Sequence, residues 1–98
     1  MARFDVYPGG GGKGYLLDCQ ADVLAVLSTR VVVPLFPASG MPVTPRLNPV
    51  FNIKGEDCVM MTQQIFAIPK DRLSKPVAFL AEEQGSIMNA LDMLLTGI

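Results

Sequence analysis

Arg30–Phe36 reads RVVVPLF, and this stretch decides the fold class. Three consecutive valines are stiff at χ1, which disfavours a helix and suits a pleated sheet. A β-strand is therefore expected here. Pro34 removes a backbone donor, so the strand is expected at an edge or close to its end. Upstream, Arg3–Tyr7 (RFDVY) alternates with a period of two and reads as a first strand. The run PGGGGKG over Pro8–Gly14 then breaks regular structure, because four consecutive glycines carry too much backbone entropy for an element. Tyr15–Cys19 (YLLDC) reads as the returning strand of a hairpin. Gln20–Leu27 (QADVLAVL) is ambiguous between strand and helix, and Ser28-Thr29 suggests a turn.

Downstream, four proline and glycine residues (Pro37, Gly40, Pro42 and Pro45) make an irregular excursion up to Leu47. Pro49–Ile53 (PVFNI), a turn at Lys54–Asp57 and Cys58–Thr62 (CVMMT) form a second hairpin pattern. Ile65–Ile68 reads as a short strand ending at Pro69, and Lys70–Pro76 is a charged connection. The chain closes with QGSIMNALDMLLTGI, Gln84–Ile98. Ile87, Leu91, Leu94 and Leu95 fall at i, i+4, i+7 and i+8, the spacing of one helix face. The helix is expected to start between Val77 and Gly85, with Glu82 and Glu83 near its positive end and Gly97 as its stop. Short strands followed by one helix predict a mainly β (α+β) domain: a strongly bent antiparallel sheet or small barrel with one C-terminal helix packed on it.

Ninety-eight residues make a single domain over 1–98. Half the residues are apolar and only 17% are charged, below the roughly 25% of an average soluble domain. Such a balance favours hiding surface in a homodimer. A net charge of −1 without a Lys/Arg cluster gives no footprint for direct nucleic-acid binding. No apolar run approaches the roughly 20 residues of a membrane span, and the opening MARFDVYP lacks a signal-like apolar region. A cytoplasmic protein that does not bind membranes is expected.

Chemistry is sparse. There is no histidine, which removes the commonest general base and metal ligand together. Cys19 and Cys58 are far apart in apolar runs and read as small buried hydrophobes. Gly12-Lys13 is a poor phosphate loop, since Gly14 stands where Ser or Thr is needed and a strand follows. Glu56-Asp57 and Glu82-Glu83 read as solvated turn and helix-start residues. Met60-Met61 reads as core filling. Arg30 with Thr62 is a conceivable phosphodiester-cleaving pair by residue type alone. Neither a metal nor a cofactor is implied.

Order and spacing carry more than any single motif. Val6-Tyr7, Gln20-x-Asp22, R-x-V-x-P-L over Arg30–Leu35, P-V-x-x-I over Pro49–Ile53, Met60-Met61-Thr62, Pro69 and the closing Gly97-Ile98 follow one another across nearly the whole chain. In this pattern the sequence resembles the CcdB family of toxins, whose partner is the CcdA antitoxin. The resemblance implies an SH3-like barrel of the CcdB/MazF group and a homodimer whose C-terminal helices approach each other, with Val23, Leu24, Leu91, Leu94 and Leu95 at the interface. It implies a toxin that is not an enzyme. It further implies that paired helix tips bind the A subunit of DNA gyrase and trap its cleaved-DNA complex, and that a CcdA-like antitoxin neutralises the toxin. The implied gyrase-binding residues are Thr96, Gly97 and Ile98.

The family tip is Trp-Gly-Ile, its tryptophan stacking on an arginine of gyrase. Here Thr96 takes the aromatic position, and the chain has no tryptophan. An interface aromatic can carry about 2 kcal/mol or more, so at least a tenfold weaker interaction is expected where that anchor is needed. Two alternatives follow: a degenerate CcdB-fold protein that binds antitoxin but poisons gyrase weakly or not at all, and a MazF-like endoribonuclease.

Overall fold

Residues 1–10, 13–40 and 43–98 are described by the computed structural model. The middle of the glycine run, residues 11 and 12 with the Gly12 of the rejected phosphate-loop reading, lies outside them, as does Pro42 of the irregular excursion. Among the described residues, seven strands and one α-helix follow in chain order: β1 (Asp5–Pro8), β2 (Tyr15–Asp18), β3 (Thr29–Pro37), β4 (Val50–Ile53), β5 (Glu56–Met60), β6 (Phe66–Pro69), β7 (Ala78–Phe79) and α1 (Gln84–Thr96). They form one antiparallel sheet in the order β4-β5-β3-β2-β1-β7, with β6 also paired to β3. The sheet bends into a nearly closed barrel, and α1 covers one of its faces.

The two hairpins stand where the alternation places them. β1 meets β2 with Val6 opposite Leu17. The glycine turn between them is closed by the Gly9 amide donating to the Gly14 carbonyl at 3.0 Å. Gly14 has φ +63°, and a Cβ there would lie 2.6 Å from the Leu35 oxygen, so a side chain is excluded by both conformation and space. β4 and β5 pair from Val50↔Val59 to Ile53↔Glu56. Their turn is therefore the two residues Lys54 and Gly55, tighter than the four expected. Both have positive φ, 53° and 89°, which is the primed geometry that matches strand twist.

β3 departs from the expectation that Pro34 marks an edge. It is the central strand, bordered by β2 on one side and by β6 and then β5 on the other. Thr29–Val32 pair with β6, and Leu35–Pro37 pair with β5. Pro34 falls in the gap between these partners. In a strand, a residue's N–H and C=O point to the same side. The Pro34 oxygen accepts from the Met61 amide on that side at 2.9 Å, so the missing donor faces the gap where no ladder bond is lost.

Residues of β3 alternate between two faces. Val33 and Leu35 join Phe4, Val6, Leu17, Phe51, Ile53, Met60, Ile87, Ala90 and Leu91 in the main core under α1. The buried thiols Cys19 and Cys58 are part of it and are not disulfide-bonded, as their apolar settings implied. The opposite face carries Tyr7, Asp18, Arg30, Val32 and Val59, all fully buried. Two features were not legible beforehand. The ambiguous Gln20–Leu27 segment is a loop, exposed from Asp22 onward, containing a 3₁₀ turn over Asp22–Leu24. The two-residue β7, paired with β1 through Val6↔Ala78, lies in a segment that carries no strand pattern.

α1 starts within the expected window, after a 3₁₀ turn at Ala81–Glu83. Its inward face is narrower than the spacing suggested. Ile87, Ala90 and Leu91 are buried, Leu94 is half-buried and Leu95 is exposed. At 100° per residue Leu95 lies roughly 80° around the helix from Ile87, at the margin of the face that Ile87, Ala90 and Leu91 bury. Gly97 ends the helix in the left-handed conformation (φ 76°), its amide donating to the Met93 carbonyl at 3.1 Å. This is the stop that a glycine at that position predicts.

Candidate functional site: the helix tip and the neighbouring turn

Thr96, Gly97 and Ile98 are all exposed at the end of α1. Ile98 keeps 76% of its surface open and Leu95 73%. The threonine hydroxyl folds back along its own helix. Its hydroxyl donates to the Asp92 carbonyl at 2.7 Å and accepts from the Ile98 amide at 3.4 Å. Thr96 thus finishes the last helical turn with its own polar atoms and projects no flat surface towards a partner. The Arg46 side chain reaches the tip from the β3–β4 loop, its Nη2 donating to the Ile98 backbone oxygen.

The exposed turn after β2 borders the same end of the helix. A groove of about 360 Å³ runs between them, lined by Leu24 and Leu27 from the turn, Leu91 and Leu95 from α1, and Val31 and Ile65 from the sheet side. The turn itself presents Val23 at 84% and Val26 at 86% exposure. Two polar side chains hold this apolar turn in place. Gln20 accepts from the Val31 amide at 3.1 Å and donates to the Leu24 carbonyl at 3.0 Å. Asp22 accepts from the Arg3 amide at 2.8 Å. The Gln20-x-Asp22 motif is therefore a scaffold that keeps valines and leucines in solvent. Arg3 crosses the groove wall, with its Nη2 3.2 Å from the Met88 sulfur and its guanidinium 4.9 Å from the Phe4 ring centre.

Of the five residues expected at a dimer interface, Val23, Leu24 and Leu95 are exposed around this groove. Leu91 belongs to the core and forms the groove floor, and Leu94 is half-buried away from it. Arg46 was not singled out by sequence reading. Nothing in P-R-L-N-P distinguishes an arginine that reaches a chain position 52 residues away.

Arg30 and Thr62 are both buried, and each is engaged by a group other than its supposed partner. Arg30 is 1% exposed and forms an ion pair with Asp18, its Nη2 2.7 Å and its Nε 2.8 Å from the same carboxylate oxygen. Burial pushes the Asp18 carboxyl above its ordinary value, against the opposing pull of Arg30 and the Gln20 amide. The buried Thr62 hydroxyl donates to the Leu47 carbonyl at 2.6 Å. Cys19, at the groove floor, is pushed up to about 12 by burial, so it is a thiol at neutral pH and a poor nucleophile. Among the described residues no cluster of three metal-ligating side chains occurs.

A bent, nearly closed antiparallel barrel with one closing helix is the architecture of the CcdB/MazF group of toxins. Known structures share it. One is an endoribonuclease in complex with its cognate antitoxin from a mycobacterial species, with TM-score 0.76 and 18% identity over 97% of this chain and 94% of that one. Another is an endoribonuclease from a mycobacterial species, with TM-score 0.76 and 17% identity over 97% and 90%. A third is the Mycobacterium tuberculosis toxin MazF-mt6, with TM-score 0.71 and 14% identity over 92% of each chain. At these identities the likeness is one of fold. The model of the CcdB protein family matches residues 3–97, nearly the whole chain, and the chain belongs to that family.

Proposed function

We propose that this chain is the toxin of a type II toxin–antitoxin module. It acts as a homodimer on the A subunit of DNA gyrase and is neutralised by a CcdA-like antitoxin. The observation that carries the reading is the exposed tip Thr96-Gly97-Ile98, held beyond a capped helix end beside an apolar turn. Family membership supports the toxin role, and the antitoxin-bound structure of a similar fold supports an antitoxin partner. The dimer is supported by the groove flanked by Val23, Val26, Leu27 and Leu95, an apolar surface that a second copy covers best because each copy brings the same residues. The action is binding rather than catalysis. Although similar folds include endoribonucleases, Arg30 is sequestered by Asp18 and Thr62 by Leu47, so neither side chain is poised for a phosphodiester.

A second reading rests on Thr96. Its hydroxyl is spent on the helix end, and no aromatic replaces it, which favours a member that keeps the antitoxin interaction and poisons gyrase weakly. Expression of the native chain beside Thr96→Trp separates the two. Growth arrest with accumulating gyrase cleavage complexes from both proteins supports the first reading. Arrest from the variant alone supports the second. Toxicity that survives deletion of Gly97-Ile98 removes the tip as the acting surface, and RNA cleavage by the purified chain overturns both.

A further inference from the structure

We infer that Arg46 is a positioning residue that holds the Gly97-Ile98 tip in one pose. Three observations converge on it. First, its guanidinium donates to the Ile98 backbone oxygen, and among the described residues this is the hydrogen bond that joins the tip to the body of the fold. The other bonds of the tip run back into α1, from Gly97 to Met93 and from Ile98 to Thr96. Second, Arg46 itself adopts the left-handed conformation at φ 74°, which a residue with a Cβ seldom takes without a compensating interaction.

Third, the chain around Arg46 is anchored to buried polar groups. Asn48 is 4% exposed. It accepts from the Thr44 amide at 2.9 Å through its side chain, and its own amide donates to the Thr44 carbonyl at 2.8 Å. Its Nδ2 donates to the Met60 carbonyl at 3.0 Å and to Gln63 Oε1 at 2.9 Å. The buried Thr62 hydroxyl fixes the Leu47 carbonyl. Thr44–Asn48 is thus pinned to the end of β5 and the turn after it, and Arg46 extends from this anchored stretch.

A tip that has only helix-terminal bonds frays on the nanosecond scale. Fixing it beforehand removes an ordering cost that binding would otherwise include. The consequence rests on the reading that the tip is the acting surface: Arg46 raises affinity for the partner without needing to touch it.

The decisive comparison is between Arg46→Gly and Arg46→Ala in the full chain, by backbone ¹⁵N relaxation. Glycine removes the guanidinium while tolerating φ 74°, so the loop backbone is kept. Alanine removes the guanidinium and leaves the strain. Both are expected to lower the order parameters of Gly97 and Ile98 towards the flexible range below about 0.6, with Ile87–Leu91 unchanged. Binding to the gyrase A subunit is expected to weaken about fivefold in Arg46→Gly, the scale of one lost ordering term. Unchanged tip order in Arg46→Gly overturns the inference, as does loosening confined to the alanine variant, which would assign the effect to the loop backbone. Equal affinities of the native chain and Arg46→Gly for the subunit overturn it too. If the native chain does not bind gyrase, the gyrase reading fails while the relaxation data still decide the role of Arg46.

Discussion

Asp18 and Arg30 meet where neither can be solvated, at 0% and 1% exposure. Removing one partner leaves the other as an uncompensated buried charge, so Asp18→Ala is expected to lower stability by about 3–5 kcal/mol, read as a shift of the urea midpoint. The asymmetric test is Asp18→Leu with Arg30→Met, which is expected to recover most of that loss because two apolar groups leave no orphan. Such a pair has a sequence trace: one charge in each of two otherwise apolar strands, at positions that share a face. Buried charges come paired, but which of the nine acids meets Arg30 depends on the β2–β3 register and could not be assigned from alternation. Tyr7 sits on the same face, fully buried, with its hydroxyl beside Asp5 but without a well-aligned bond. Burial and the Asp5 and Asp18 carboxylates push its phenol up to about 12. Burial does the same for the Cys19 thiol, from 9.0 to about 12. The sign follows directly. Above about pH 9 the unfolded chain releases protons that the folded chain retains, so stability is fully present below that pH and is lost as pH rises towards 12. Each group contributes a slope of about 1.4 kcal/mol per pH unit within its window. Melting temperatures are expected to fall steadily from pH 9 to 11, and the fall is expected to be shallower in Cys19→Ala, where Cys58, also pushed up by burial, still contributes.

Elements obey their local signals except where tertiary partners intervene. The Val31–Val33 run makes a strand, yet the β6-to-β5 handover turns a proline that reads as an edge marker into a residue of the central strand. The helix was legible to its last residue because its periodicity and its glycine stop agree. The exposure of Leu95 was not, since the width of the face that the sheet covers is a tertiary fact. β7 is two residues long and pairs only because Val77 and Leu80 donate to the Val6 and Phe4 carbonyls on either side, a contact that no local pattern announces. Of the candidate site, the tip was legible through Gly97-Ile98, and part of the turn through Gln20-x-Asp22. The groove between them appears only once the turn is folded beside α1. The β4–β5 turn gives a clean element-scale test. Lys54 occupies a positive-φ position of a two-residue turn, where asparagine is preferred before glycine. Its side chain is exposed, so little else changes. Lys54→Asn is expected to stabilise the protein by about 0.4–1 kcal/mol, seen as a raised unfolding midpoint with an unchanged denaturant slope.

At the scale of the whole molecule, the barrel buries its own core and still leaves apolar side chains exposed around the groove. Val23 and Val26 project from a turn whose backbone is fixed by Gln20 and Asp22, so their exposure is built in rather than a consequence of looseness. Leu95 completes the patch across the groove. A stable homodimer needs about 800 Å² from each partner, and on the proposed function the surface around the groove is its apolar centre. Val23 and Val26 are so open that acidic replacements there remove nothing from the core. Val23→Asp with Val26→Asp is therefore expected to leave the melting profile of the isolated fold intact while placing like charges across a self-complementary interface. The expected outcome in light scattering is a mass of one chain where the native protein gives two at micromolar concentration. A native protein that is monomeric there, or a double variant that remains dimeric, sinks the assignment of this surface to a second copy. Under the proposed function the same variant bears on action, because that reading needs a dimer to present two tips together. If gyrase poisoning by the native chain persists undiminished in a monomeric variant, one tip suffices and the pairing is irrelevant to action. If it disappears while Gly97 and Ile98 keep their native order, the dimer supplies what a single tip lacks: a second binding event at high effective concentration.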